Sequence, residues 1–82
     1  MHAPVTIRYF AMMRETVGTS EERVDVAIGE TASGLYRRVA ARYGFALRAE
    51  DIRFAVNDRF VGPDRELTLG DVVVFIPPVA GG

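Results

Sequence analysis

Apolar and polar residues alternate in two segments of the chain, residues 5–10 and 23–28. A period of two predicts β-strands in which every second side chain packs into the core. Gly29-Glu30 ends the second of these strands. The positions expected to face inward are Val5, Ile7, Tyr9, Val24, Val26 and Ile28.

Two helices are predicted around the second strand. The first is short, spans residues 11–17 and ends at Gly18. The second is longer, with Thr31 as its N-cap and Gly44 as the residue just beyond its end. Apolar residues recur in it three or four positions apart and predict one buried stripe. The stripe consists of Leu35, Tyr36, Val39, Ala40 and Tyr43.

A hairpin and a final strand complete the predicted elements. Residues 53–56 and 59–61 flank Asn57-Asp58, whose residue types favour the left-handed conformations of a tight turn. Residues 72–76 are apolar without alternation, which predicts a strand covered on both faces in the middle of a sheet. One long helix must then cover a mixed sheet of about five strands, with a short helix beside it, and this predicts an α+β fold.

The length of 82 residues fits one domain, which we place at residues 1–76, followed by an extended tail at 77–82. No apolar run approaches the roughly 20 residues that span a bilayer, and the first residues do not resemble a signal peptide. A cytoplasmic protein without membrane contact is therefore expected. The net charge of -1 and the dispersed basic residues argue against binding to nucleic acid.

Several chemical groups are missing from the sequence. The chain has no cysteine, which excludes disulfides, thiol nucleophiles and zinc fingers. All ten basic residues are arginine; genomic base composition explains this, but it also leaves only the N-terminal amine to attack an activated acyl group. His2 is expected in a mobile N-terminus without a second metal ligand. We find no catalytic motif, so the chain alone is not expected to be an enzyme or to bind a metal or cofactor.

The tail is the most informative segment. Pro77-Pro78 stops strand pairing and stiffens an extended start, small residues follow, and Gly81-Gly82 ends the chain. Six extended residues reach about 20 Å, so this narrow segment could place a carboxylate deep in a partner's cleft. Adenylation with ATP would activate that carboxylate, and a sulfur nucleophile would convert it to a thiocarboxylate. The alternative is a flexible end without function.

The two ends of the sequence resemble those of a known family. Residues 5–11 with Arg14-Glu15 and Gly18 resemble the opening of the small subunit of molybdopterin synthase (MoaD-like). Residues 69–72 and 75–82 resemble its ending, of which Pro-Pro-Val-x-Gly-Gly is the most specific part. An ordinary surface ion pair would explain Arg14 and Glu15 equally well.

The resemblance implies a β-grasp, ubiquitin-like fold and a sulfur-carrier cycle. An E1-like enzyme adenylates Gly82 with ATP and magnesium, and a sulfur donor protein converts the adenylate to a thiocarboxylate. The tail then enters the large synthase subunit and gives its sulfur to cyclic pyranopterin monophosphate, forming molybdopterin. The resemblance further implies a heterotetramer and places the catalytic groups in the partners.

The resemblance also assigns the site residues. Gly82 bears the sulfur and Gly81 allows the tail to thread. A core position explains Phe75 better than docking does, whereas both explanations stay open for Phe10 and Ile76. The residues expected to dock on partners around the tail are Phe10, Phe75, Ile76, Pro77, Pro78, Val79 and Ala80.

Two other functions stay open. A thiocarboxylate carrier could serve thiamin, cysteine or a natural-product pathway, because Val-Ala-Gly-Gly endings also resemble carriers for cysteine synthesis. A ubiquitin-like modifier would instead be joined to lysines of target proteins. Copies of this chain in amide linkage to other proteins would indicate the modifier.

Overall fold

The computed structural model describes residues 2–78, which form a five-stranded sheet and two α-helices. A 3₁₀ helix at Ala49–Asp51, which the sequence did not predict, precedes the third strand. No helix within residues 2–78 is long and apolar enough to cross a membrane. The elements are β1 His2–Arg8, α1 Ala11–Val17, β2 Glu21–Ala27, α2 Ala32–Tyr43, β3 Arg53–Val56, β4 Arg59–Val61 and β5 Val72–Ile76.

Strand β5 lies in the centre of the sheet, as its apolar sequence predicts. The strand order is β2-β1-β5-β3-β4, with β5 parallel to β1 and antiparallel to β3. The expectation that β5 is covered on both faces is wrong. Val73 and Phe75 are fully buried on the α2 side, but the alternate residues Val72, Val74 and Ile76 are only half-buried. Among residues 2–78, the α2 layer covers one face of β5, and we call the other face the open face.

Aromatic rings join α2 to the sheet. Tyr36 of α2 packs edge-on against Phe75 of β5, with ring centroids 5.1 Å apart, and its hydroxyl donates to Leu47 O at 2.7 Å. Phe54 of β3 contacts both rings at 5.9 and 6.4 Å. Such edge-to-face pairs stabilise beyond the area that they bury. The predicted helix stripe is thus confirmed as the layer that covers the core.

The predicted helix ends are confirmed by their backbone geometry. Thr31 is extended, and its hydroxyl accepts a hydrogen bond from Gly34 N at 3.1 Å, which satisfies one free N–H of the first turn of α2. Gly44 takes the left-handed conformation that stops the helix, with φ of 77°. The hairpin turn is confirmed as well, since Asn57 and Asp58 have positive φ.

Two sequence predictions at the ends of strands are wrong. His2 is not a mobile end but the first residue of β1, where it pairs with Ala27 of β2. Ile28 does not face inward and is 73% exposed. Strand β2 ends at Ala27, and the turn through Gly29, at φ of 87°, breaks the alternation that predicted a buried Ile28. The alternation of residues predicts which face of the sheet a side chain lies on only as long as the strand continues.

A buried carboxylate holds the start of β5. Asp71 is 5% exposed and accepts hydrogen bonds from Thr68 N at 2.8 Å and Asn57 Nδ2 at 2.9 Å. Asn57 in turn exchanges two hydrogen bonds with Val72, both of 2.9 Å. Arg65 completes the group at 3.3 Å from the carboxylate. These bonds tie the hairpin turn to the strand that leads to the tail.

The same contacts set the charge state of Asp71. Burial by itself raises the pKa of this carboxyl group. The hydrogen bonds from Thr68 and Asn57 and the charge of Arg65 outweigh burial and hold the pKa below its ordinary value. Asp71 is therefore ionised in the folded protein at neutral pH and even in mild acid.

Asp71→Asn is expected to lower the free energy of unfolding at pH 7 by about 1–3 kcal/mol, because its buried donors lose a charged acceptor. The folded pKa lies below the unfolded value of about 3.9, so the carboxylate stabilises above that pH. Its contribution is lost as the pH falls through the folded pKa. Urea unfolding should show that the original chain has a higher free energy of unfolding than Asp71→Asn at pH 7, and that the two values become similar in strong acid. Equal stability at pH 7 would refute this role of Asp71.

Candidate functional site

Two chain segments leave the sheet at the same end, beside the tail. Strands β1 and β5 are parallel neighbours, with Arg8 level with Val74, so both finish at one edge of the sheet. Pro77 follows β5 directly, and Phe10 follows β1 by two residues. Pro77 is half-buried and Pro78 is exposed. The start of the tail is thereby fixed to the central strand of the fold.

The backbone turns Phe10 outward. Phe10 is extended, and Ala11 takes a left-handed conformation at φ of 49°, which turns the chain abruptly into α1. The preceding Tyr9 is buried, and its hydroxyl donates to Glu22 at 2.8 Å, which anchors this end of β1. The Phe10 ring is 52% exposed, so the question that the sequence left open is answered: Phe10 lies on the surface.

An apolar strip runs across the open face towards the tail. Ala55 lies opposite both Val74 and Phe60, and it therefore joins three adjacent strands. The residues of the strip share the open face and are half-buried, except for Phe60, which is exposed. We call this set the open-face strip: Ala55, Phe60, Val72, Val74 and Ile76.

Phe60 is the most exposed of the four strip residues that the sequence analysis did not name. Its ring is 72% exposed, and the Arg53 guanidinium lies over it, 5.3 Å from the centroid. Arg53 also lies opposite Ile76 in the strand register, so a cation borders the strip where the tail begins. The predicted strand at residues 59–61 has only three residues. Its sequence therefore does not indicate whether Phe60 packs in the core or lies on the surface for docking. The pairing of Phe60 with Ala55, which in turn pairs with Val74, becomes visible only in the sheet.

The predicted site residues divide into three groups. Phe10, Ile76, Pro77 and Pro78 lie together at the tail end of the sheet, on the surface or half-buried. Phe75 is fully buried and faces α2, so the core explanation is confirmed and it is not part of a docking surface. Val79, Ala80, Gly81 and Gly82 lie outside the described residues.

The described residues offer stability rather than reactive groups. Burial and the hydrogen bond to Glu22 raise the pKa of the Tyr9 hydroxyl. The Tyr43 hydroxyl donates to the same carboxylate at 2.7 Å, and this bond, together with burial, raises its pKa as well. Both phenols stay protonated and hold β1, β2 and α2 together. Within residues 2–78, no group of three or more His, Cys, Asp or Glu could hold a metal ion.

Comparison with known sequences adds a family. Residues 7–82 match the model of the ThiS family. The chain is similar to the molybdopterin synthase sulfur carrier subunit of Escherichia coli, at 40% identity over 95% of this chain and 99% of that one. It is also similar to the sulfur carrier subunit of the same name from Chlamydomonas reinhardtii, at 35% identity over 95% and 98%.

Solved structures confirm the predicted β-grasp fold. A putative molybdopterin converting factor subunit 1 from Pyrococcus furiosus is 30% identical, with a TM-score of 0.77 over 94% of this chain and 99% of that one. A ubiquitin from Caldiarchaeum subterraneum matches over the whole of both chains, with a TM-score of 0.68 at 21% identity. A Helicobacter pylori chain, solved in a complex of molybdopterin-converting factor subunits 1 and 2, has a TM-score of 0.60 at 24% identity over 96% and 99%.

Proposed function

Because this chain belongs to the ThiS family, we propose that it is a sulfur carrier of molybdenum cofactor biosynthesis and that the carboxylate of Gly82 carries the sulfur. The observation that carries the proposal is the Pro-Pro-Val-Ala-Gly-Gly ending directly behind the central strand β5. An anchored, narrow segment suits a carrier that must present one chemical group to several enzymes.

The proposed cycle has three steps. An E1-like enzyme uses ATP and magnesium: the Gly82 carboxylate attacks the α-phosphate and releases pyrophosphate. A persulfide on a donor protein attacks the acyl carbon and displaces AMP, and a thiol then cleaves the S–S bond of the acyl disulfide, which releases the thiocarboxylate and leaves a disulfide on the donor. In the large synthase subunit the thiocarboxylate sulfur attacks a carbon of cyclic pyranopterin monophosphate and displaces an oxygen substituent, and water then hydrolyses the thioester, which leaves the sulfur on the pterin and returns the Gly82 carboxylate. Two such transfers supply the two sulfurs of molybdopterin.

The catalytic groups of this cycle belong to the partners. The buried carboxylate of Asp71 and the partly buried one of Glu22 are held in structural hydrogen bonds. The sequence contains no lysine, so no side-chain amine of this chain can consume its own activated end. In this proposal the chain provides reach, anchorage and a docking surface.

The docking surface consists of Phe10 and the open-face strip. Phe10 and Ile76 lie where the tail begins, the other members extend from there across the open face, and Phe10 and Phe60 are 52% and 72% exposed. Burying such rings in a partner is a large favourable term, and aromatic residues dominate binding energy at interfaces. The large synthase subunit is the proposed occupant, in a heterotetramer with two copies of each subunit. The Helicobacter pylori fold neighbour, solved in a complex with its subunit 2, supports a second subunit as the partner.

Sulfur transfer tests the proposal directly. The chain is prepared with a C-terminal thiocarboxylate and mixed with cyclic pyranopterin monophosphate and a large synthase subunit known to be active with its own carrier. We expect molybdopterin to form, and none to form with the unmodified chain. Loading must be checked by selective alkylation, because oxidation of any of the three methionines adds nearly the mass of an oxygen-to-sulfur exchange.

A negative result in that assay would point to a different function. If the loaded chain forms no molybdopterin, the molybdenum pathway is wrong, and thiamin and cysteine synthesis are the next acceptors to test. Recovery of the chain in amide linkage to lysines of other proteins would instead indicate a modifier.

Phe60→Ala and Phe10→Ala are each expected to weaken binding to the large subunit by about tenfold or more, because each removes an exposed ring of the proposed docking surface. The free energy of unfolding should fall by no more than ~1 kcal/mol, since both rings are largely exposed. Calorimetric titration and urea unfolding measure the two effects. Ile28→Ala is the matched control, because Ile28 is as exposed but lies in the turn after β2. Unchanged affinity in both variants would contradict this docking surface.

A further inference from the structure

One edge of the sheet, β2, has main-chain groups that point away from the other strands. Hydrogen bonding alternates along an antiparallel pair, so every second residue of β2 directs its N–H and C=O outward. Pro4, which has no N–H, lies opposite Asp25, so this pair belongs to the outward set. Outward groups on an edge strand are a template for a further strand. The set consists of Glu21, Arg23, Asp25 and Ala27.

A side-chain ion pair occupies two of these residues. Arg38 of α2 donates from Nη2 to the Asp25 carbonyl at 2.7 Å. The Glu30 carboxylate accepts from Ala27 N at 3.0 Å. Glu30 and Arg38 are themselves joined by two hydrogen bonds, of 3.0 and 3.3 Å, in a paired geometry. The carboxylate and the guanidinium together cover the second half of the β2 edge.

The charges along β2 favour one partner, a second copy of the same strand. When two copies of β2 pair antiparallel over their full length, the two-fold axis passes through Val24. Arg23 then lies opposite Asp25 twice, so opposite charges meet, and Glu21 lies opposite the uncharged Ala27. A shift that centres the pair on Arg23 would bring arginine opposite arginine and Glu21 opposite Asp25, which is unfavourable. The full-length register requires the Asp25 carbonyl and the Ala27 N–H that Arg38 and Glu30 occupy.

We propose that the Glu30–Arg38 pair is a lock that keeps the β2 edge closed against a second copy of this chain. With the lock open, the two β2 strands add to each other in the register centred on Val24, through Arg23 and Asp25; at the ends of that register Glu21 O and Ala27 O accept bonds from Thr19 Oγ1 and Glu30 N within the chain. With the lock closed, two of the groups that the register needs, the Asp25 carbonyl and the Ala27 N–H, are already bonded within the chain. The lock thus favours a monomer, whether or not the chain carries sulfur.

A single cysteine tests both the lock and the register, because the chain has none of its own. In the proposed dimer the two Val24 positions face each other in a pair without mutual main-chain bonds, at a Cα separation of about 4.5 Å, which suits a disulfide. Under mild oxidation, Val24→Cys with Arg38→Met should cross-link at least about tenfold faster than Val24→Cys alone. Arg37→Met, the neighbouring arginine on α2, is the matched control and should leave cross-linking slow.

Charge and register give independent checks. Adding Arg23→Asp to the Arg38→Met protein places aspartate opposite Asp25 and should return cross-linking to the slow rate. If Arg38→Met does not fold, Glu30→Gln, which keeps the shape but weakens the hold on Arg38, serves instead and should also speed cross-linking. A folded lock variant that cross-links no faster than the control overturns the lock. Faster cross-linking through Arg23→Cys than through Val24→Cys overturns the register.

Discussion

Removal of Gly82 is expected to abolish sulfur transfer to cyclic pyranopterin monophosphate and to leave the thermal unfolding of the domain unchanged. The shortened chain would end about 3.3 Å earlier, and misplacing a reacting group by even ~1 Å can cost about 100-fold in rate. The buried core of the described residues lies between Val5 and Phe75, well before the deleted residue. The measurement is molybdopterin formation from the truncated chain, prepared as a thiocarboxylate at Gly81, beside a thermal melt.

Gly82→Ala separates reach from the need for glycine. This variant keeps the length of the tail and adds one methyl group at its end. If reach alone matters, it should transfer sulfur; if the cleft accepts only a backbone without side chains, it should fail like the deletion. Sulfur transfer by the truncated chain would refute the role of Gly82. A lost cooperative transition in that chain would show that the end of the tail is structural.

Phe75→Ala is expected to have the largest effect on stability, a loss of about 3–5 kcal/mol in the free energy of unfolding. The side chain is fully buried in the central strand and touches the rings of Tyr36, Phe54 and Tyr9, with centroids 5.1, 5.9 and 6.5 Å away. Its removal leaves a cavity where α2 meets the sheet. Since domains of this size are stable by only ~5–10 kcal/mol, the variant should be close to unfolding at ambient temperature.

Phe60→Ala is the matched control for Phe75→Ala, because it makes the same chemical change in the same sheet at an exposed position. Urea unfolding should separate the two variants by at least ~2 kcal/mol. Phe75→Leu, which leaves a smaller cavity, provides a folded variant if Phe75→Ala is too unstable to measure. Similar stability of the two alanine variants would refute the assignment of Phe75 to the core and of Phe60 to the surface.

The sequence predicted the part of the candidate site at the start of the tail, but not its extent across the sheet. The tail and Phe10 were found because Pro-Pro and Gly-Gly have strong local signals and because both ends of the chain resemble a known family. Phe60 was not found, because it is distant from the tail in sequence. It joins the site through two strand pairings, β4 with β3 and β3 with β5; the Asn57-Asp58 turn signals the first, but the second has no local signal.

Local interactions explain where the fold prediction succeeded. Thr31 and Gly44 determine the ends of α2 through contacts with their own helix, and Asn57-Asp58 determines the hairpin through its own backbone. The failures concern neighbours that the local sequence does not reveal. Ile28 was assigned to the core, but strand β2 ends one residue earlier, at Ala27. His2 was expected in a mobile N-terminus, but it is part of β1 and pairs with Ala27 of β2.

The sequence by itself determined the α+β class, the two helices, the hairpin, the central position of β5 and the Gly-Gly tail. Each follows from a periodicity, a capping residue or a run of apolar residues, all of which act over a few positions. Only the tertiary structure decided which face of β5 stays open, that Phe75 is core and Phe10 surface, and that Arg38 and Glu30 cover the β2 edge. These depend on which elements become neighbours, and one helix can cover only one face of the sheet.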